Sequence, residues 1–373
     1  MNRILSLQIP TEAHGSAAPI TAESMALTNG DDALLVIPVS IEGIGPHAVV
    51  GWGAPRSVVD AGFAARHGIR SAEARRVVGF NGSALAGLAR PLDISAGSVH
   101  LRNIEPLIFD LESLARAART SFEALLGREF FLQAVVTIDP DAQQLQLGHE
   151  HESDGEILSV FQSSDRHFYI GIELGEGLRA DAVIDLGCTV PMYVSPRFAQ
   201  QHRLFAGLKR GSTAAIGVEG IVVSQLGRMP LIKLGNLELT DIPFAVPSQW
   251  NFETPVVLGL PVFRRFRTLL DFGRGRLQLQ HGRTIDRQFE RDRSGLSVIP
   301  SDQGLRVVHV AASSPAARAG LVLGDLIVAI DDGRGAAPPN DSHRGLGKRV
   351  SGTRYLLQIE GKGTHELVLA DYY

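Results

Sequence analysis

Two stretches of this 373-residue chain repeat one pattern at a nearly constant offset, so the fold must accommodate two copies of one unit. Residues 168–177 (Phe-Tyr-Ile-Gly-Ile-Glu-Leu-Gly-Glu-Gly) align without a gap on residues 34–43, both closing on Glu-Gly. Ala182-Val183-Ile184-Asp185 then matches Ala48-Val49-Val50-Gly51, and after one extra residue 198–204 match 63–69. Near the end of each unit Val257-Leu258-Gly259 matches Leu125-Leu126-Gly127, Asp271 matches Asp139, and Leu277-Gln278-Leu279 matches Leu145-Gln146-Leu147. The repeated text is mostly short apolar runs bounded by glycine turns, which reads as a duplicated β-rich unit.

The copies differ at one chemically decisive position. Ala182-Val183-Ile184-Asp185-Leu186-Gly187-Cys188-Thr189 is an apolar strand ending in a carboxylate and breaking at a glycine. A strand apolar on both faces is buried on both, so it can hold one acid firmly at its end. Asp185 is therefore the candidate catalytic residue, and Gly51 stands at its place in the other copy. The competing reading makes Asp185 a turn residue bonding nearby backbone N–H groups. Cys188, the only cysteine, lies in the same loop, but no histidine is placed beside it, and it reads as a small buried residue.

Composition excludes several classes. Lys plus Arg number 36 against 40 Asp plus Glu, a net charge of −4, with no basic stretch that would track a phosphate backbone. A single cysteine excludes an internal disulfide and a cysteine-rich zinc site. No run of about 18 apolar residues is present to span a membrane. Residues 1–30 read as an arm or edge strand, with an apolar piece near Arg3 too weak for a signal-peptide core, so the chain as given reads as cytoplasmic, or as exported if a signal precedes it. The His149-Glu150-His151-Glu152 run between the copies reads as a solvated linker; two histidines on one strand face specify no third metal ligand, and no metal or cofactor is expected.

Within each copy the text predicts hairpins with glycine-rich tips at 77–83 and 216–220, a short helix over 57–69 and a helical stretch over 111–124. Beyond a charged connector at 281–293 a different module starts. There Ser314-Pro315-Ala316-Ala317-Arg318-Ala319-Gly320 reads as a complete short helix with Ser314 as N-cap, Pro315 in the first turn and Gly320 at the end. Residues 323–333 read as a turn, a buried strand and a second turn, followed by a short helix near 346–350 and strands at 355–359 and 365–369.

The Asp-Leu-Gly turn, the glycine-tipped hairpin Ile216-Gly217-Val218-Glu219-Gly220, and Val257-Leu258-Gly259 followed by residues 266–272 resemble the retropepsin-like (pepsin-type) aspartic proteases. Ser313 to Leu321 and Gly324-Asp325-Leu326-Ile327 resemble a PDZ domain. The resemblance implies a mainly β fold: an N-terminal arm at 1–30, two pseudo-symmetric acid-protease lobes at 31–150 and 155–282, and a PDZ-like domain at 291–373. It also implies a peptide groove covered by flaps, with Gly79 and Phe80 on one and Gly217 and Val218 on the other. Gly295 and Leu296 would lie in a loop receiving a peptide C-terminus while the peptide adds as a β-strand. Aspartic proteases need two carboxylates sharing a proton, and Gly51 supplies none. Trp52 and Leu186 also stand where the family has a hydroxyl. The expected function is a pseudoprotease or impaired peptidase that binds peptides or proteins. The alternative is an active endopeptidase using Asp185 with a second acid from another chain, in a homodimer.

Overall fold

The computed structural model describes residues 23–26, 34–51, 53–79, 81–148, 154–217, 219–339 and 345–373. The described chain is mainly β, arranged in sheets of thirteen, seven, five and three strands. In the seven-stranded sheet His47–Val50 lies between Val36–Pro38, antiparallel, and Ala124–Leu126, parallel, and the latter pairs antiparallel with Val58–Asp60. The second copy repeats this arrangement. Leu178–Asp185 lies between antiparallel Phe168–Leu174 and parallel Val256–Gly259, which pairs antiparallel with Met192–Val194. Central strands flanked on both sides need apolar residues on both faces, as the buried Ala182, Val183 and Ile184 show.

Each copy then turns into a short helix capped at the equivalent position. Asp60 accepts from the Phe63 N–H before Ala61–Arg66, and Ser195 accepts from the Phe198 N–H before Pro196–Gln201. The predicted helix over 57–69 thus begins later, because the β-branched Val58 and Val59 pair in the sheet. The predicted helix over 111–124 is also cut short: it spans Glu112–Ala118, ends at Arg119 in a left-handed conformation, and Ala124 starts a strand beside Ala48. Sheet pairing outweighs alanine's helix propensity there. Residues 345–347 form a turn, so no helix starts at 346.

The halves are joined by shared backbone bonds and a shared core. Val136–Asp139 of the first copy pairs with Phe266–Asp271 of the second inside the thirteen-stranded sheet. Glu23–Ala26 adds to its edge against Gln144–Leu147, so this piece of the arm is the edge strand; the rest of 1–30, and 149–153 of the expected linker, lie outside the described residues. One apolar cluster includes Ile37, Val50 and Leu126 of one half and Ile184, Leu258 and Phe272 of the other. Phe272 stacks on Phe168 at 4.6 Å and meets Phe131 edge-on at 6.2 Å, tying both halves to one ring.

The five-stranded sheet, from Leu296–Ser301 to Gly363–Val368, has its own core built on Leu305, Ile327, Leu357 and Leu367. Arg354–Ile359 alternates exposed and buried residues strictly, the pattern of a half-buried strand. The helix here is Pro315–Arg318, capped by Ser314 through the Ala317 N–H. No helix among the described residues is long and apolar enough to cross a membrane.

Because Phe272 contacts aromatic rings from both copies, Phe272→Ala should lower stability by about 3–5 kcal/mol in urea denaturation. Both copies should unfold in one shifted transition, and two separate transitions would contradict the shared core.

Candidate functional site

Asp185 ends its strand beside Gly259 of the parallel neighbour. A side chain at Gly259 would collide with the Val190 and Cys188 carbonyls, so this glycine lets the loop after Asp185 fold tightly against the strand. The loop returns the Gly187 N–H to Asp185 Oδ1 at 2.9 Å. The first copy supplies a second donor: the Gly53 N–H reaches the same oxygen at 3.2 Å. A Cβ on Gly53 would sit 2.6 Å from Oδ1 and still closer to Cγ and Oδ2, so only glycine permits this approach. A Cβ on Gly187 would lie 3.5 Å from the Gly51 Cα, so the two equivalent turns face each other directly. At Gly51 a Cβ would meet Leu125 Cγ at 2.9 Å; the space in which a second acid would begin is taken by a leucine side chain.

Burial pushes the Asp185 carboxyl above its ordinary 3.8, against the Gly187 N–H, the charge of His167 and the Gly53 N–H, which all favour the anion. Tyr169 pairs with Val183, and two residues outward on each strand stand His167 and Asp185. The His167 ring is buried, 4.4 Å from Phe252 between centroids, with Nδ1 3.0 Å from Asp165 Oδ1. Burial alone would raise Asp165, but hydrogen bonds from His167 and Ser163 hold it well below the carboxylate range. Burial and then the charge of Asp185 push the Cys188 thiol far up, and its Sγ lies 3.4 Å from the Val190 carbonyl. A thiol so disfavoured as thiolate is a packing group and not a nucleophile.

The hairpins expected as flaps are Ser71–Gly79 with Gly82–Ala89, and Gly211–Gly217 with the start of Gly220–Leu234. Gly79 pairs with Gly82 and Gly217 with Gly220 at the tips, and the structure brings those tips together. The Asn81 N–H donates to Glu219 Oε1 at 3.2 Å, while Asn251 Nδ2 donates to the carbonyls of Gly79 and Gly82 at 2.9 and 3.2 Å. Phe80 and Val218, with Trp52, lie outside the described residues.

Gly295 and Leu296 belong to the separate C-terminal sheet. Gly295 has φ +67°, and a Cβ there would strike Ser314. The N–H groups expected to receive a carboxylate already have partners: those of Ser294 and Gly295 donate to Asp292, each at 2.9 Å, and that of Leu296 to Ser294 Oγ at 3.0 Å. The adjoining outer strand contacts the second hairpin, where Ser297 Oγ accepts from the Ala214 N–H at 3.0 Å. Sequence reasoning missed Gly53, His167 and Asp292. Gly53 was available as the repeat partner of Gly187, and His167 as the residue before the second repeat; nothing local marked Asp292. Among the described residues no group of three His, Cys, Asp or Glu could hold a metal.

A carboxyl raised by burial binds its proton more tightly when folded. Its contribution favours the fold at low pH and is lost as pH rises from 3.8 through the folded value. Asp185→Asn, whose amide oxygen can still accept from Gly53 and Gly187, should be more stable than wild type at pH 7, with the difference shrinking below pH 3.8. Denaturation at both pH values checks this, and a destabilised variant at pH 7 would contradict it. No family model matches the chain, and no curated protein matches it in sequence.

Proposed function

We propose that this chain is a retropepsin-like, aspartic-protease-fold protein with fused lobes at 31–150 and 155–282 and a PDZ-like domain at 291–373, and that it binds peptides or proteins as a pseudoprotease or impaired peptidase. The observation that carries the reading is the position of Asp185 opposite a backbone amide, with Leu125 filling the space beyond Gly51. Peptide hydrolysis on this fold needs one carboxylate to take a proton from water while its partner donates to the substrate carbonyl. Asp185 can serve as one or the other. The facing turns and the joined hairpin tips are features suited to holding an extended chain. The alternative, an active endopeptidase drawing a second acid from another copy, meets an obstacle in Gly53, which already lies against Asp185.

Wild type should leave an unstructured peptide substrate intact at acidic to neutral pH. Gly51→Asp combined with Leu125→Ala, which clears room for the new side chain, should gain cleavage by about 100-fold or more that Asp185→Asn removes. Asp185-dependent cleavage by wild type as fast as by that double variant would overturn the reading.

At the C-terminal module the Asp292 carboxylate occupies donors that a peptide terminus would need. Asp292→Ala should therefore bind a free C-terminal peptide about 10-fold more tightly than wild type, and amidating the peptide should erase the gain. Equal binding of free and amidated peptides by the variant, measured by calorimetry, would remove the loop from the account.

A further inference from the structure

Gly211–Gly217, the outer strand of the second hairpin, is the last strand of the thirteen-stranded sheet, and Leu296–Ser301 is the first strand of the C-terminal one. Edge strands carry backbone groups that folded proteins cover or blunt, and here the two edges meet. Ser297 pairs with His309 on the neighbouring strand, so both side chains leave the same face of their sheet, and the register slips directly after Ser297. His309 Nε2 lies 2.8 Å from Ser212 Oγ, while Ser297 Oγ lies 3.4 Å from Thr213 Oγ1 and accepts from the Ala214 N–H at 3.0 Å. One cross-strand pair thus holds consecutive residues of the hairpin. The helix Glu112–Ala118 of the first copy touches both edge strands.

Residues 370–373 add a second hold at the foot of the same strand. The Ala370 N–H donates to the Arg293 carbonyl at 3.1 Å, Asp371 pairs with Arg291 and Arg293 at 3.3 and 2.6 Å, and the Tyr372 hydroxyl donates to Asp292 Oδ2 at 3.2 Å. The segment fixed in this way lays both of its rings on Gly211: a Cβ there would lie 2.9 Å from Tyr373 Cγ and 3.1 Å from Tyr372 Cε2. Gly211 pairs with Leu226 on the other strand of the hairpin. Tyr373 shares a buried cluster with Leu226, Tyr193 and Val257, against which Cys188 and Val190 of the loop after Asp185 also pack. That ring therefore joins the C-terminal domain to the hairpin and to the lobe beneath it. At the opposite end the tip is tied through Glu219 to Asn81.

We propose that the C-terminal domain is an autoinhibitory latch: it holds the second hairpin down over the groove between the lobes, and a peptide enters only as Ser297, His309 and Tyr373 let that hairpin go. The inference rests on the peptide-binding reading above and adds to it the step that controls access. The C-terminal sheet has a core of its own, so these contacts can part without either core unfolding. Hydrogen bonds between neutral groups each contribute little, which suits a contact that opens and closes.

The test uses the full chain. In Ser212→Ala combined with Ser297→Ala, amide hydrogen exchange along Gly211–Gly217 should rise about 10-fold, while exchange along Ser71–Gly79 of the first hairpin and Arg354–Ile359 of the C-terminal sheet stays as in wild type. Association of a labelled peptide of alternating leucine and serine, amidated so that the Gly295 loop plays no part, should quicken by about the same factor. Thr213→Cys combined with Ser297→Cys replaces two side chains whose oxygens stand 3.4 Å apart and should act the other way. Its oxidised form should take up the peptide at least about 10-fold more slowly than its reduced form. Arg354→Gln, exposed on the C-terminal sheet, should change none of these. Unchanged exchange along Gly211–Gly217 in the double alanine variant would overturn the latch. So would faster exchange with unchanged peptide association, or equal association by the crosslinked and reduced cysteine forms. Peptide binding by no form would overturn the peptide-binding reading and, with it, the role given to the latch, whatever the exchange rates show.

Discussion

The contact between the Gly53 amide and the Asp185 carboxyl organises the centre of the molecule. For the two turns to come this close residue 53 must have no side chain, because a Cβ there would overlap the Asp185 carboxyl, whereas a Cβ on Gly187 would lie 3.5 Å from the Gly51 Cα. That requirement fixes how the copies face each other, and the pairing of Val136–Asp139 with Phe266–Asp271 holds the arrangement from the opposite end of each unit. Phe272, between Phe131 and Phe168, fills the volume left between them. The result is one core shared by two units, beside a C-terminal sheet whose core is its own.

The duplication was legible because repeated strands need repeated apolar patterns, and the equivalences around Asp185 reappear as equivalent strand pairings and caps. Asp60 and Ser195 illustrate this: different residues at the same repeat position cap their helices in the same way. Where the sequence misled, long-range pairing was the cause. Residues 111–124 are rich in helix formers, yet Ala124 to Leu126 are claimed by a strand far away in sequence. No local rule could see that partner. The site was half legible. Asp185 and the missing acid at Gly51 could be read directly, but the amide from Gly53 depends on how two turns meet, and the Asp292 carboxylate inside its own loop depends on a backbone geometry set by Gly295.

Asp185 shows what becomes of a carboxylate in such a place without a second acid. Two aspartates held together raise one pKa by sharing a proton. Here burial alone does the raising, and two amide donors and the charge of His167 pull against it. A backbone dipole can orient a carboxylate, but it cannot exchange a proton with it. At this contact the carboxyl is oriented by backbone donors, and the facing turn places no second carboxyl beside it at Gly51 or Gly53.

On the proposed peptide-binding reading the groove need not release products, so its cover can stay closed. The joined hairpin tips are in keeping with that reading: with Asn81 on Glu219 and Asn251 on Gly79 and Gly82, the hairpins are tied to each other and to the second copy by several hydrogen bonds. Such ties add to the cost of separating the tips relative to an untethered hairpin. The hairpin tips meet in the same arrangement that leaves Asp185 facing a backbone amide in place of a second acid.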